Sequence, residues 1–146
     1  PPLVGQARET LGGLSKGQLA ARHERLEYPS AVDHLPAGSL VVNGYDRPLN
    51  YVLLGASLRN RVMDIFEAQR HFGTDGGGWR FTGDTVRTTG ATHFYAREGE
   101  QIETDDCVSL REVDALRANP FNGRPYARGR VLYVLQVCDS GPRPGG

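Results

Sequence analysis

The side chains best suited to bind a ligand lie in the last third of the chain. Arg124, Arg128 and Arg130 crowd one stretch, NGRPYARGR, with Phe121 and Tyr126 interleaved. Guanidinium groups match phosphates and guanine edges through paired hydrogen bonds. Aromatic rings stack on unpaired bases. Arg97 and Arg111, on the segments flanking this loop, extend the set. The ligand class that follows is RNA, DNA or a nucleotide. An internal reading competes with it. Phe121 and Tyr126 would pack the loop, and the arginines would pair with the acids of residues 98–114, each surface pair contributing about 0–1 kcal/mol.

A second group could do proton chemistry. On an extended segment His93, Tyr95 and Arg97 share a face, with Glu98 next in the chain. A histidine near a carboxylate can move protons at neutral pH. Thr92, His93 and Glu98 are therefore the candidate catalytic residues. The constellation is incomplete, because no Ser-His-Asp signature, nucleophile elbow or metal-ligand spacing accompanies it. Cys107 as a nucleophile would need His93 as its base. Asp105 and Asp106 could hold a hard cation, but an acidic pair at a turn also reads as solvated. Without CxxC or paired Cys/His spacing, no metal and no cofactor are expected. TDGGGW does not match a phosphate-binding GxxxxGK[ST] loop; its glycines let Trp79 turn inward.

Charge is unevenly spread. The chain is neutral, with 17 basic and 17 acidic residues. Residues 79–114 hold Arg80, Arg87, Arg97 and Arg111 among twice as many carboxylates, whereas in residues 115–146 Asp139 is the one acid beside five arginines. A wholly basic domain is excluded, but a basic face is not. At 146 residues one domain with a real core is expected. A hydrophobic content of 38% without a long apolar run predicts no membrane span. PPLVGQARETLGG lacks the basic and apolar regions of an intact signal peptide, so a cytoplasmic location is the expectation. Cys107 and Cys138 read as small apolar residues in a reducing compartment, or as a disulfide if their segments are neighbours.

The elements that must position these groups follow from periodicity. Short helices are expected at 5–11 and 15–26, the second with a Ser15/Gln18 capping box and with His23 on its apolar face. SLVVN (39–43) and LNYVLL (49–54) read as a hairpin around GYDRP. A helix is expected over 57–72, capped by Ser57 and ended by a C′ glycine, Gly73. From residue 79 the period becomes two, and WRFTG, DTVRTTG, THFYAREG and CVSLREV read as strands. RVLYVLQV (130–137) is apolar at nearly every position, as a strand buried on both faces would be. The fold class is α+β. Helices come first, followed by a mostly antiparallel sheet that curls closed. One domain spans 1–146: a helical extension at 1–38, a core at 39–138 and a tail at 139–146.

DDCVSLREVD (105–114) and NGRPYARGRVLYVL (122–135), preceded by the turn at Gly90 and Thr92, resemble ASCH-type domains of the PUA-like superfamily. One branch of these carries GD.L.LREVD…TGR…V.YVL. The resemblance covers residues 88–137 and implies a β-barrel with a cleft for a nucleobase or a nucleic-acid segment. Asp105 replaces the motif glycine. Ala91 stands where enzymatic relatives have the lysine of their amidohydrolase-like set. The role the resemblance implies is binding of nucleic acid or a modified nucleoside, with a small nucleoside or nucleotide hydrolase as a further reading. The alternative from another class is a structural or assembly subunit, of a phage particle or a homo-oligomer.

Overall fold

The computed structural model describes residues 28–45, 50–55 and 59–139. The helices expected at 5–11 and 15–26, with His23, lie outside the described residues, as do Ser57 and residues 140–146 of the tail. A 3-10 helix at Ser30–His34 precedes β1 (Leu40–Asn43), the one-turn α1 (Asn50–Leu53), β2 (Arg61–Met63) and α2 (Ile65–Phe72). Then come β3 (Trp79–Phe81), α3 (Gly83–Thr89), β4 (His93–Arg97), β5 (Ile102–Thr104), β6 (Val108–Ala118) and β7 (Pro125–Val137).

The closed, mostly antiparallel barrel is overturned. Five strands form an open mixed sheet in the order β2-β1-β4-β7-β6. β1 runs parallel to both β2 and β4, and only the β4–β7 and β7–β6 pairs are antiparallel. β3 and β5 form a separate parallel ribbon. Parallel neighbours need long crossovers, and these put packed segments on the sheet faces. The sheet is therefore covered by layers and has no need to close on itself.

Local signals explain three further differences. LNYVLL yields the α1 turn instead of a hairpin strand. The helix expected from residue 57 begins at Ile65, because Asp64 is its cap and accepts from Glu67 N at 2.9 Å. Ahead of it, Arg61–Met63 pair with β1 as an edge strand. Gly73 ends that helix in extended backbone (φ −74°), not in the left-handed conformation expected of a C′ glycine. DTVRTTG, rich in β-branched residues, forms α3. Thr82 caps it by accepting from Thr85 N, and Gly90 closes it at φ +74°, so both termini have good caps.

Alternation along β1, β4 and β7 divides the core in two. Leu40, Val42, Phe94 and Leu135 face α2, α3 and the β3–β5 ribbon, where Phe72, Trp79, Phe81 and Val86 meet them. Val41, Tyr95 and Leu132 face the 3-10 helix and α1, meeting Val32 and Leu53. Of the strand at 130–137, Val131, Leu132 and Leu135 are buried, so the two layers cover both faces only at its centre, while Gln136 is exposed and the other residues are half-buried. Buried Asn60 ties the second layer together, donating to Val32 O at 2.9 Å and to Leu53 O at 3.0 Å. On β6 a bulge around Val113 turns Asp114 toward the 3-10 helix, where it accepts from Ala31 N at 2.9 Å.

Cys107 and Cys138 are disulfide-bonded, because the turn before β6 and the end of β7 are neighbours. This corrects the expectation of reduced cysteines. A bond spanning 31 residues contributes about 3–4 kcal/mol in the chain-entropy account.

Candidate nucleic-acid interface

The parallel β1–β4 pairing sends both strands out at one end of the sheet, and β7 enters there. Asn43 lies beside Tyr95, and Arg97 is directly opposite Arg130. Gly44 continues β1, donating to Tyr95 O at 2.7 Å. A Cβ at Gly44 would overlap the Phe94 ring, lying 2.7 Å from Cζ. Glycine therefore lets the chain cross that ring and deliver Tyr45 to the sheet end. Asn43 fixes the turn, its Oδ1 accepting from Tyr45 N at 3.0 Å.

Tyr45 becomes the centre of a cationic and aromatic cluster. Its ring lies 5.9 Å from that of Tyr95. The Arg97 guanidinium sits 5.0 Å from the Tyr45 ring centre, and that of Arg130 sits 5.5 Å from it. Arg130 also stacks on Tyr126 at 4.0 Å and donates through Nη2 to the Tyr45 hydroxyl at 3.2 Å. Each such cation–π contact contributes about 0.5–1 kcal/mol where exposed. Arg130 Nε is buried and has no hydrogen-bond acceptor among the described residues. Burial pushes the Tyr95 hydroxyl well above its ordinary range, against the opposing effect of the nearby Arg130 charge. Arg97 and Arg130 thus bring two guanidinium groups to the same rung of neighbouring strands, on either side of the Tyr45 ring.

Beyond this cluster the β6–β7 hairpin projects from the sheet. Asn119 organises its tip, with Oδ1 accepting from Phe121 N at 2.8 Å, and Gly123 turns at φ +72°. Phe121 remains 46% exposed. Arg124 is exposed, and its guanidinium has no hydrogen bond or ion pair among the described residues.

The remaining predicted residues separate. Arg128 turns to the acidic side, donating from Nε to Glu98 O at 3.0 Å and lying 3.8 Å from the Glu100 carboxylate. Glu98 and Glu112 together hold Arg117, at 2.6 and 2.8 Å. The internal pairing reading is thus correct for Arg128. Arg111 is exposed and opposite Val134, on the same rung as His93 and toward the other end of the sheet.

Thr92 and His93 sit together, but Glu98 does not join them. Five residues of strand separate His93 from Glu98, about 17 Å. The Thr92 hydroxyl accepts from Leu40 N at 2.9 Å and lies 2.8 Å from His93 Nδ1, stitching β4 to β1. Burial holds the His93 imidazole below its ordinary value. Cys107 is occupied by its disulfide. Asp105 caps backbone, accepting from Gly83 N and Cys107 N, each at 3.0 Å. The Gly83 bond, chiefly, holds its carboxyl below the usual range. Among the described residues no cluster of three His, Cys, Asp or Glu side chains could hold a metal ion.

Sequence reasoning missed Tyr45, which it placed in a hairpin loop. Its role depends on a parallel pairing with a strand far along the chain, for which the local sequence carries no signal. A groove of about 490 Å³ beside the end of α2, with His71, Asp75 and Arg80 on its wall, contains none of the predicted residues. No helix among the described residues is long and apolar enough to cross a membrane. No protein-family model, curated protein or solved structure matches the chain.

Proposed function

We propose that the sheet end formed by Tyr45, Arg97, Tyr126 and Arg130, with Phe121 and Arg124 at the hairpin tip, binds single-stranded nucleic acid. The observation that carries this reading is the direct opposition of Arg97 and Arg130 around one tyrosine ring. Phosphate oxygens would take the guanidinium donors, and bases would stack on Tyr126 and Phe121. Ligands of open sheets with parallel strands characteristically sit beyond the carboxyl ends of those strands, and β1 and β4 end here. Thr92, His93 and Glu98 do not all come together, so that set lends no support to the hydrolase reading. The disulfide favours an oxidising compartment over the cytoplasm.

The test is fluorescence anisotropy with labelled short single-stranded RNA and DNA, from about 50 to about 200 mM salt. Affinity should fall steeply as salt rises. Arg97→Ala and Arg124→Ala should each weaken binding and reduce the slope of log K against log salt by about 0.7. Absence of binding to either strand type at low salt refutes the proposal, as does binding unchanged in both variants. Light scattering on the same samples addresses the assembly reading, which requires a stable oligomer.

A further inference from the structure

The disulfide lies on the opposite side of the molecule's chemistry from the tyrosine cluster and has its own dedicated surroundings. Arg87, on α3, directs Nη2 at both sulfurs, 3.0 Å from Cys107 Sγ and 3.2 Å from Cys138 Sγ, and also donates to Cys138 O at 3.2 Å. One turn earlier on the same helix face, Gly83 packs on the bond: a Cβ there would lie 3.0 Å from Cys107 Sγ. Helix α3 is thus shaped around these two sulfurs by an i, i+4 pair.

A disulfide sulfur is a weak acceptor, so a neutral S–S bond gains little from a guanidinium. The charge has its full effect on a thiolate, which is how cationic neighbours activate cysteines. Among the described residues no tight ion pair neutralises Arg87: Asp84 is 3.8 Å away and almost fully exposed. The other carboxylates of the neighbouring turns are Asp105, Asp106 and Asp139, and Asp105 is engaged with Gly83 N and Cys107 N. Both cysteines are only partly buried, so a reductant can reach them. The backbone holds them together without the covalent bond. Val108 pairs with Val137, and Cys138 N donates to Cys107 O at 2.7 Å.

We propose that Cys107–Cys138 is a thiol–disulfide exchange site whose reduced state is stabilised by Arg87, with a dithiol as the exchanging partner. The partner's thiolate attacks Cys138 Sγ, forming a mixed disulfide and releasing Cys107 as the thiolate facing Arg87. The partner's second thiolate then displaces Cys138, closing the partner's own disulfide. Two electrons pass from the dithiol to the protein. Of the two dithiol protons, one ends on Cys138 and the other in solvent.

Equilibration of the folded protein with dithiothreitol redox mixtures, followed by alkylation and mass spectrometry, reads the exchange equilibrium directly. Reduction should be reversible, with the folded circular dichroism spectrum retained. Arg87→Gln should shift the equilibrium about tenfold toward the disulfide, which corresponds to about 30 mV. It should also slow alkylation of the reduced protein by iodoacetamide near neutral pH. Arg87→Lys, which keeps the charge, should recover part of both effects; should Arg87→Gln prove poorly folded, the comparison of Arg87→Lys with wild type under the same mixtures serves, a smaller shift in the same direction supporting the proposal. Equal equilibria and equal alkylation rates in wild type and variants overturn it. A native disulfide that resists excess dithiothreitol until the protein unfolds overturns it too.

Discussion

Substitution of Gly44 by alanine tests how Tyr45 is delivered to the sheet end. The added Cβ would lie 2.7 Å from Phe94 Cζ and 3.0 Å from Tyr95 O. The ring has little room to retreat, since its centre is 4.8 Å from that of Phe81 and 5.2 Å from that of Trp79. Overpacking of this kind costs about 1–3 kcal/mol, and the upper half of that range is expected. Phe94→Leu removes the ring atoms that clash and costs about 1–2 kcal/mol by itself. If the two losses were independent, the double variant would lose roughly the sum, about 3–5 kcal/mol. The geometry instead predicts that it loses no more than Phe94→Leu plus a few tenths of a kcal/mol for the remaining contact with Tyr95 O. Urea unfolding followed by circular dichroism and by the fluorescence of Trp79, the single tryptophan, measures all three variants. Additivity to within about 0.3–0.5 kcal/mol would refute the packing of Gly44 on Phe94. The placement of Tyr45 between Arg97 and Arg130 would fall with it.

Two further outcomes follow from buried polar groups. Asn60→Ala leaves the buried carbonyls of Val32 and Leu53 without their donor and should cost about 2–4 kcal/mol in thermal or urea unfolding; a change within about 0.5 kcal/mol would show that Asn60 does not bridge these layers. His93 is held neutral by burial, below its ordinary 6.5. Below that pH the unfolded chain binds a proton that the native state does not, so stability should fall as pH drops from about 6.5 toward the folded value and then level off. Melting temperature against pH should show this limb in wild type and lose it in His93→Gln; a limb unchanged in the variant would assign it to another group.

Elements marked by a dense apolar run were legible from composition. RVLYVLQV is apolar on both faces because two layers cover its centre, and no pairing information was needed to see a strand there. The second half of the helix expected over 57–72 was legible from its apolar spacing. Its start was not, because Asp64 and Ser57 are both good caps, and the choice depends on whether Arg61–Met63 find a strand partner. For DTVRTTG, β-branched composition argued for a strand while the termini, Thr82 and Gly90, argued for a helix. The caps prevailed in a segment with no ladder to join. The barrel failed on long-range pairing. β1 joins β4 across some fifty residues, and period-two alternation is the same whether a neighbour runs parallel or antiparallel. The candidate site inherits this split. Phe121 and Arg124 were legible as a turn tip. The pairing of Arg128 with Glu98 and Glu100 depends on how the β4–β5 turn folds against β7, and Tyr45 depends on the parallel pair.

The bond between Cys107 and Cys138 also makes the β6–β7 hairpin a covalent ring. A peptide bond cut at the Phe121–Arg124 tip would leave both arms attached to the protein, with the ladder from Val108 and Val137 onward still in register. Nicked protein would migrate as one chain until reduced, and then as two. The same closure fixes the stem while leaving the tip free to vary in length, because the entropy of a longer loop rises only slowly with its size. The tip is therefore where a tag, a label or a grafted peptide can be carried with the least disturbance to the sheet.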